Sequence, residues 1–148
     1  GAMYRSTAYK ALQNHISLED EEAVCEMLEH TKIQLLTDGS IFLDGEDISD
    51  KIRTNEISLA ASLVSKLANV RRMLVARQKE MAKEKGFIMD GRDIGTVVLT
   101  DAEVKIYMTA TPMARAKRRY DQNIAKNIPT EGNRRTRFTR YDTCQFAT

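Results

Sequence analysis

The stretch "GFIMDGRDIGTVVL", Gly86 to Leu99, sets Asp90-Gly91-Arg92-Asp93 between two apolar runs. These residue types can do chemistry. An arginine fork takes a phosphate through two parallel hydrogen bonds. A carboxylate beside it accepts hydrogen bonds from a base or a sugar, or helps to hold hydrated magnesium. A glycine lets the backbone turn and come close to a ligand. In a parallel α/β sheet, ligands bind beyond the carboxyl ends of the strands. Phe87-Ile88-Met89 reads as such a strand, so Asp90 to Asp93 falls where a ligand edge belongs. The same four residues also suit an ordinary Asp-Gly turn in which Arg92 pairs with Asp90 or Asp93.

The elements that must position this edge can be read from periodicity and punctuation. Tyr4 to Gln13 has no breaker and predicts a helix. Ser17 followed by Asp20 resembles a capping box, and the acids from Glu19 to Glu22 favour a helix start. Val24, Met27 and Leu28 continue that second helix to about His30. Lys32 to Leu36 predicts a strand, Asp38-Gly39 a hairpin turn, Ile41-Phe42-Leu43 the returning strand, and Asp44-Gly45 a further turn. Helical spacing resumes near Glu56 and runs through Leu63, Val64 and Leu67. A longer helix follows from Asn69 to about Lys85, with Val70, Met73, Leu74 and Met81 as its buried side. Val104 to Met108 predicts another strand. Thr111 can cap the next helix with Pro112 in its first position; that helix carries Arg115, Arg118 and Arg119 and ends by Pro129. Strands alternating with helices argue for an α/β fold with parallel strands at Phe87–Met89 and Val104–Met108. The hairpin near Lys32–Leu43 interrupts that rhythm and reads as an insertion on the rim.

The bulk composition narrows the class. The 148 residues are 42% hydrophobic and 30% charged, with a net charge of +2. That suits one globular domain, without the charge that would call for nucleic acid or a membrane surface as partner. No run approaches transmembrane length, and no signal peptide opens the chain. Cys25 and Cys144 are isolated, which predicts a cytoplasmic setting and no disulfide framework. His15 and His30 lack partners at metal-ligand spacing.

Three longer segments carry a resemblance: "GAMYR", "IRTNEISLAASLVSKLANVRRML" and "MDGRDIGTVVLTDAEVKIYMTA". In this order and spacing they resemble the bacterial cytidylate kinases, from Gly1 to about Lys126. The resemblance implies a P-loop nucleoside monophosphate kinase fold. It also implies a small inserted NMP-binding region at residues 31–68 and transfer of a phosphoryl group from ATP to CMP or dCMP with Mg2+. Position by position, it implies that Arg5 and Arg92 hold the CMP phosphate, that Ser62, Arg71 and Asp93 read the cytosine, and that Asp90 sits with Arg92 at the transfer centre. It extends Arg115 and Arg119 towards the ATP phosphates. Taken singly, Ser62 also suits a helix filler beside two alanines, and Arg5, Arg71 and the α-helical arginines suit a solvated surface. No protein ligand to a resident metal is assigned, and a monomer is expected.

The chain departs from the family pattern at both ends. The phosphate cradle G-x-x-x-x-G-K-[ST] does not occur in it. Residues 129–148 carry Arg134, Arg135, Arg137 and Arg140 but not the R-D-x-x-D-x-x-R lid pattern. The expectation is an incomplete sheet and a truncated or frame-disrupted gene copy, or a partial assembled sequence, inactive by itself. The alternative is a non-catalytic remnant that binds a nucleotide or a protein.

Overall fold

A computed structural model describes residues 1–83, 86 and 88–125, which fall in two compact units, Gly1–Glu103 and Val104–Thr148. The first unit begins with α1 (Ala2–Gln13). It closes in a Schellman turn: the Ile16 N–H reaches back to the Ala11 carbonyl at 2.9 Å, and His15 takes the left-handed conformation at φ 55°. Helix α2 (Glu21–Glu29) starts at Asp20, whose Oδ1 accepts the Ala23 N–H at 3.0 Å. The cap therefore falls on the acid next to the helix. Ser17 Oγ instead accepts the Glu19 N–H in the preceding turn.

Three short strands follow, β1 (Ile33–Leu35), β2 (Ile41–Leu43) and β3 (Glu46–Asp47), antiparallel in the order β1-β2-β3. Leu43 pairs with Glu46 across the two-residue loop Asp44-Gly45, with φ of 51° and 91°. That is the geometry of a primed hairpin turn, and it explains the Asp-Gly pair. A single 3₁₀ turn (Lys51–Arg53) leads to α3 (Asn55–Val64), capped by Thr54 Oγ1 on the Ile57 N–H. Helix α4 (Ala68–Met81) comes next. A π turn (Ile94–Val98) follows the segment that holds Asp90 to Asp93.

Two apolar clusters hold the first unit together. The larger joins Met3, Ala8 and Ala11 of α1 to Val24 and Leu28 of α2, Ala60 and Val64 of α3, and Val70 and Leu74 of α4. Met73 and Met81 pack on it half-buried. The smaller joins Ile41 and Leu43 of the hairpin to Ile48, Ile52 and Ile57, with Ala2, Tyr9 and Leu12 of α1 against it. Arg77 of α4 fastens the end of α2, donating from Nη1 to the Thr31 carbonyl at 3.0 Å and from Nη2 to the Leu28 carbonyl. The Leu28 carbonyl lies in the last turn of α2 and the Thr31 carbonyl just beyond it, at a helix C-terminus where a cation is favoured.

The parallel strands expected at Phe87–Met89 and Val104–Met108 are not seen among the described residues. Phe87 lies outside them, while residues 88–90 and 104–110 take no regular structure. Ile88 is 97% exposed, and Val104, Ile106, Tyr107 and Met108 are all exposed. Parallel strands are covered on both faces. An apolar run encodes the wish to be buried but not the neighbouring ladder that makes a strand. The described architecture is thus α/β with helices around a small antiparallel sheet. In the second unit, α5 (Pro112–Ala125) starts as expected, with Thr111 Oγ1 accepting the Ala114 N–H at 3.2 Å. The tail from residue 129 lies outside the described residues.

Two expectations for stability follow. Arg77→Ala removes charge-assisted hydrogen bonds from a half-buried helix end and should lower stability by about 1.5–3 kcal/mol, read from the urea midpoint. Asp44 accepts from Lys10 Nζ at 2.6 Å and from the Lys32 N–H at 2.8 Å. Burial alone would raise its pKa, but these bonds outweigh it and hold the carboxyl below its ordinary value. A carboxylate with a lowered folded pKa adds stability above its unfolded pKa of about 4 and loses it as pH falls through the folded value. Asp44→Asn should therefore lower the neutral plateau of the stability–pH curve, read from urea midpoints across the acid-to-neutral range, while leaving the acid end nearly unchanged, so that the acid slope flattens.

Candidate functional site

The site forms where the amino-terminal turns of α1 and α4 meet the segment before the π turn. Arg71 lies in the first turns of α4, and its Nη2 reaches Asp93 Oδ2 at 2.5 Å. The two side chains are 49% and 29% exposed, so the pair is open to a ligand. Tyr4 of α1 lies within the field of both. Burial raises its pKa first, Arg71 opposes that, and Asp93 adds to it.

A second group of charges gathers at the start of α1. The amino group of Gly1 is lowered below its ordinary value, first by partial desolvation. Asp90 pulls it up, Arg5 and Arg92 push it down, and Asp93 pulls it up again. Arg5 and Arg92, with Asp90 and Asp93, are thus the charges that act on Gly1. Arg5 is half-buried and its Nη1 approaches the Ile52 carbonyl at 3.5 Å, which ties the start of α1 to the 3₁₀ turn. Asp90 and Arg92 are exposed.

Asp90 also lines a cavity of about 450 Å³, together with Met3, Leu36, Met81, Ile88 and Ile94. Most of its lining is apolar, and neither Arg71 nor Asp93 belongs to it. The charged residues and the cavity therefore share Asp90.

The backbone that presents Asp90 to Asp93 is a sequence of bends leading into the π turn. The Asp93 carbonyl accepts from the Val97 N–H at 2.8 Å and more weakly from Val98 at 3.3 Å, and the Leu99 N–H bonds to the Ile94 carbonyl at 2.7 Å. Such π turns are rare and often mark functional sites. Gly91 lets the turn close on itself: a Cβ there would lie 2.7 Å from Ile94 Cγ1.

Other expected site residues fall elsewhere. Ser62 is half-buried on α3, and its hydroxyl donates to the Ser58 carbonyl at 3.2 Å within the same helix. Arg115, half-buried, and Arg119, exposed, lie on α5 in the second unit. Among the described residues no group of three or more His, Cys, Asp or Glu could hold a metal ion. No described helix is long and apolar enough to cross a membrane. Tyr4 and Glu21 were not singled out from the sequence. Tyr4 sits inside "GAMYR", so its signal was adjacency to Arg5. Glu21 reaches Asn69 across 48 positions, which no spacing rule reveals.

A model of the family described as Cytidylate kinase matches residues 1–135. The chain is 47% identical over 134 residues to the cytidylate kinase of Geobacillus sp. (strain WCH70), covering 88% of this chain and 60% of that one. It is 55% identical over 123 residues to the cytidylate kinase of Caldicellulosiruptor bescii, covering 81% and 54%. It is 48% identical over 131 residues to that of Bacillus subtilis (strain 168), covering 86% and 58%. The chain therefore spans between about half and three-fifths of the length of these curated relatives.

Gly91→Ala tests the geometry of the edge. The added methyl must displace Ile94, where the π turn begins, and overpacking of this kind costs about 1–3 kcal/mol. The expected result is a lower unfolding temperature with changed amide shifts from Asp90 to Leu99. An unchanged spectrum over that segment would contradict the close approach.

Proposed function

This chain belongs to the cytidylate kinase family, and on that premise we propose that it carries the CMP-recognising part of an enzyme that phosphorylates CMP or dCMP at the expense of ATP. The observation that carries the reading is the Arg71–Asp93 contact at 2.5 Å; Arg5, Asp90 and Arg92 act electrostatically on the start of the chain.

The chemistry of the base fits the pair. Cytosine offers a donor at its amino group and acceptors at N3 and O2. A guanidinium has five donors and a carboxylate two acceptor oxygens, so one contact between them leaves donors and an acceptor for a base. In this reading Asp93 takes the amino group and Arg71 gives to the ring acceptors, with Ser62 as a further contact from α3. Uracil presents an oxygen where cytosine presents the amino group, so the carboxylate meets an acceptor and repels it. Unpaired polar groups of this kind discriminate strongly.

The phosphate belongs to the other hand of the edge. Arg5 and Arg92 neutralise the CMP phosphate and orient its attacking oxygen. In the transfer, that oxygen forms a bond to the terminal phosphorus of ATP, the bond from that phosphorus to the bridging oxygen breaks, and ADP leaves. Asp90 is proposed to organise this centre, and Arg115 and Arg119 are proposed to face the ATP phosphates. ATP with Mg2+ supplies the phosphoryl group, and Mg2+ is commonly held by one or two carboxylates together with phosphates and water. The backbone cradle G-x-x-x-x-G-K-[ST] that holds such phosphates is not among these 148 residues. The cradling of the ATP phosphates is therefore not assigned to these residues.

That gap favours a second reading for the 148-residue chain by itself, a nucleotide-binding module without turnover. Positioning and charge stabilisation supply nearly all of phosphoryl-transfer catalysis. A coupled ADP-release assay with CMP, ATP and Mg2+ should give no useful rate, and turnover in the usual kinase range would refute the reading.

Binding tests the division of labour. Asp93→Asn exchanges an acceptor-only group for one that also donates, so CMP affinity should drop about ten- to a hundredfold, the size of one charged hydrogen bond, while UMP gains relative to CMP. Arg92→Ala should weaken CMP and UMP alike, because a phosphate contact carries no base information. Calorimetric dissociation constants for both nucleotides give the ratio. Its collapse in Arg92→Ala and survival in Asp93→Asn would reverse the assignment.

A further inference from the structure

We infer that Glu21 is a positioning residue for base recognition: its carboxylate holds the first turn of α4 and thereby sets where Arg71 meets Asp93. The inference rests on the reading of Arg71 and Asp93 as the cytosine-recognising pair. The first four N–H groups of a helix have no partner within it, and the N-cap of α4, Leu67, has no side-chain acceptor to give them. Glu21, the first residue of α2, supplies it from another helix. Its Oε1 accepts the Asn69 N–H at 2.5 Å and its Oε2 accepts from Asn69 Nδ2 at 3.0 Å. Arg72 Nη2 donates to Asn69 Oδ1, which leaves the amide nitrogen for Glu21 and fixes the orientation of that side chain. A carboxylate at this place also complements the positive end of the helix.

Arg71 stands two residues after Asn69, and its own N–H makes an early intrahelical bond of α4, to the Leu67 carbonyl at 3.0 Å. A fraying first turn would carry the Arg71 side chain away from Asp93. The ion pair cannot prevent this, because an open pair between flexible side chains contributes little. Arg77 fastens α4 to α2 at the opposite end, by the Leu28 and Thr31 carbonyls. Loss of Arg77 therefore loosens the same two helices without touching the turn that carries Arg71.

The test compares Glu21→Ala, Glu21→Gln and Arg77→Ala in the 148-residue chain, at a temperature where each remains folded. Two readouts are taken: the Nε–Hε NMR signal of Arg71, which reports its restraint by Asp93, and calorimetric binding of CMP and UMP. Glu21→Ala should broaden the Arg71 signal and weaken CMP by about three- to tenfold, the range of one lost helix cap, with a smaller effect on UMP. Glu21→Gln keeps an acceptor for the Asn69 N–H and should restore most of both. Arg77→Ala should lower the unfolding temperature while leaving the Arg71 signal and the CMP-to-UMP ratio in place. The inference is overturned if Glu21→Ala lowers stability yet leaves the Arg71 signal unchanged, or if Arg77→Ala reproduces the effect. Arg71→Ala is the separate check on the underlying reading. If it leaves the CMP-to-UMP ratio unchanged, the base-recognition reading fails, and the Arg71 signal alone then decides whether Glu21 positions that side chain.

Discussion

Close approach to α1 is the constraint on which the first unit depends. Ser6, Thr7, Ala8 and Ala11 on this helix are wholly buried, and Ala60 and Ala61 of α3 share the same cluster, which holds Ala8 and Ala11. Small residues on both partners let two helices pack with their axes near the lower end of the usual separation. The hydroxyls would forbid this if they were left unpaired. Ser6 donates to the Ala2 carbonyl at 3.1 Å and Thr7 to the Met3 carbonyl at 2.9 Å, so each is satisfied within α1 and the packed surface is effectively apolar. Other α1 side chains, Ala2, Tyr9 and Leu12, pack against the hairpin cluster. One helix thus sits between two cores, and the polar residues near its start, Tyr4 and Arg5, are placed by that double burial.

What the sequence made legible was local. The apolar spacing of Val24, Met27 and Leu28 gave a real buried face, and Val70 and Leu74 likewise. The Asp-Gly pairs marked true turns because their left-handed backbone leaves few residue choices. Thr111 and Pro112 marked a helix start because capping is decided within four residues. The failures have two causes, one distant and one local. A parallel strand depends on a ladder partner far along the chain, so Val104 to Met108 could signal burial but not pairing. The capping box misread Ser17 because Asp20, beside the helix, competes for the same N–H groups and is better placed.

The candidate site divides in the same way. Asp90 to Asp93 was visible as an interruption of an apolar run, since charge inside a core segment calls for a reason. The contact from Asp93 to Arg71 spans 22 positions, and only the resemblance to a family joined them in advance. The hydroxyl of Ser62 was placed on the correct helix, but its bond to the Ser58 carbonyl follows a common helical habit of serine that sequence spacing does not separate from ligand contact. Glu21 was noticed only as one acid in a helix start, although it serves two helices.

The exposed ion pair and its surroundings stand in an order of cause. An ion pair this open contributes little to folding, and salt screens it further. It therefore cannot be what brings α4 to the segment at Asp90–Asp93. The reverse holds: Val70 and Leu74 anchor α4 in the core, Glu21 fixes its first turn, and Gly91 lets the opposite backbone close against Ile94. Arg71 and Asp93 are then left facing one another with weak mutual attachment. In the proposed reading that weakness is useful, because a base would meet side chains whose own contact is exposed and leaves donors and an acceptor unused, on backbones already in place. Pre-organisation of this kind lowers the entropy lost on binding, and under the proposed function it would put discrimination in the side chains and affinity in the frame beneath them.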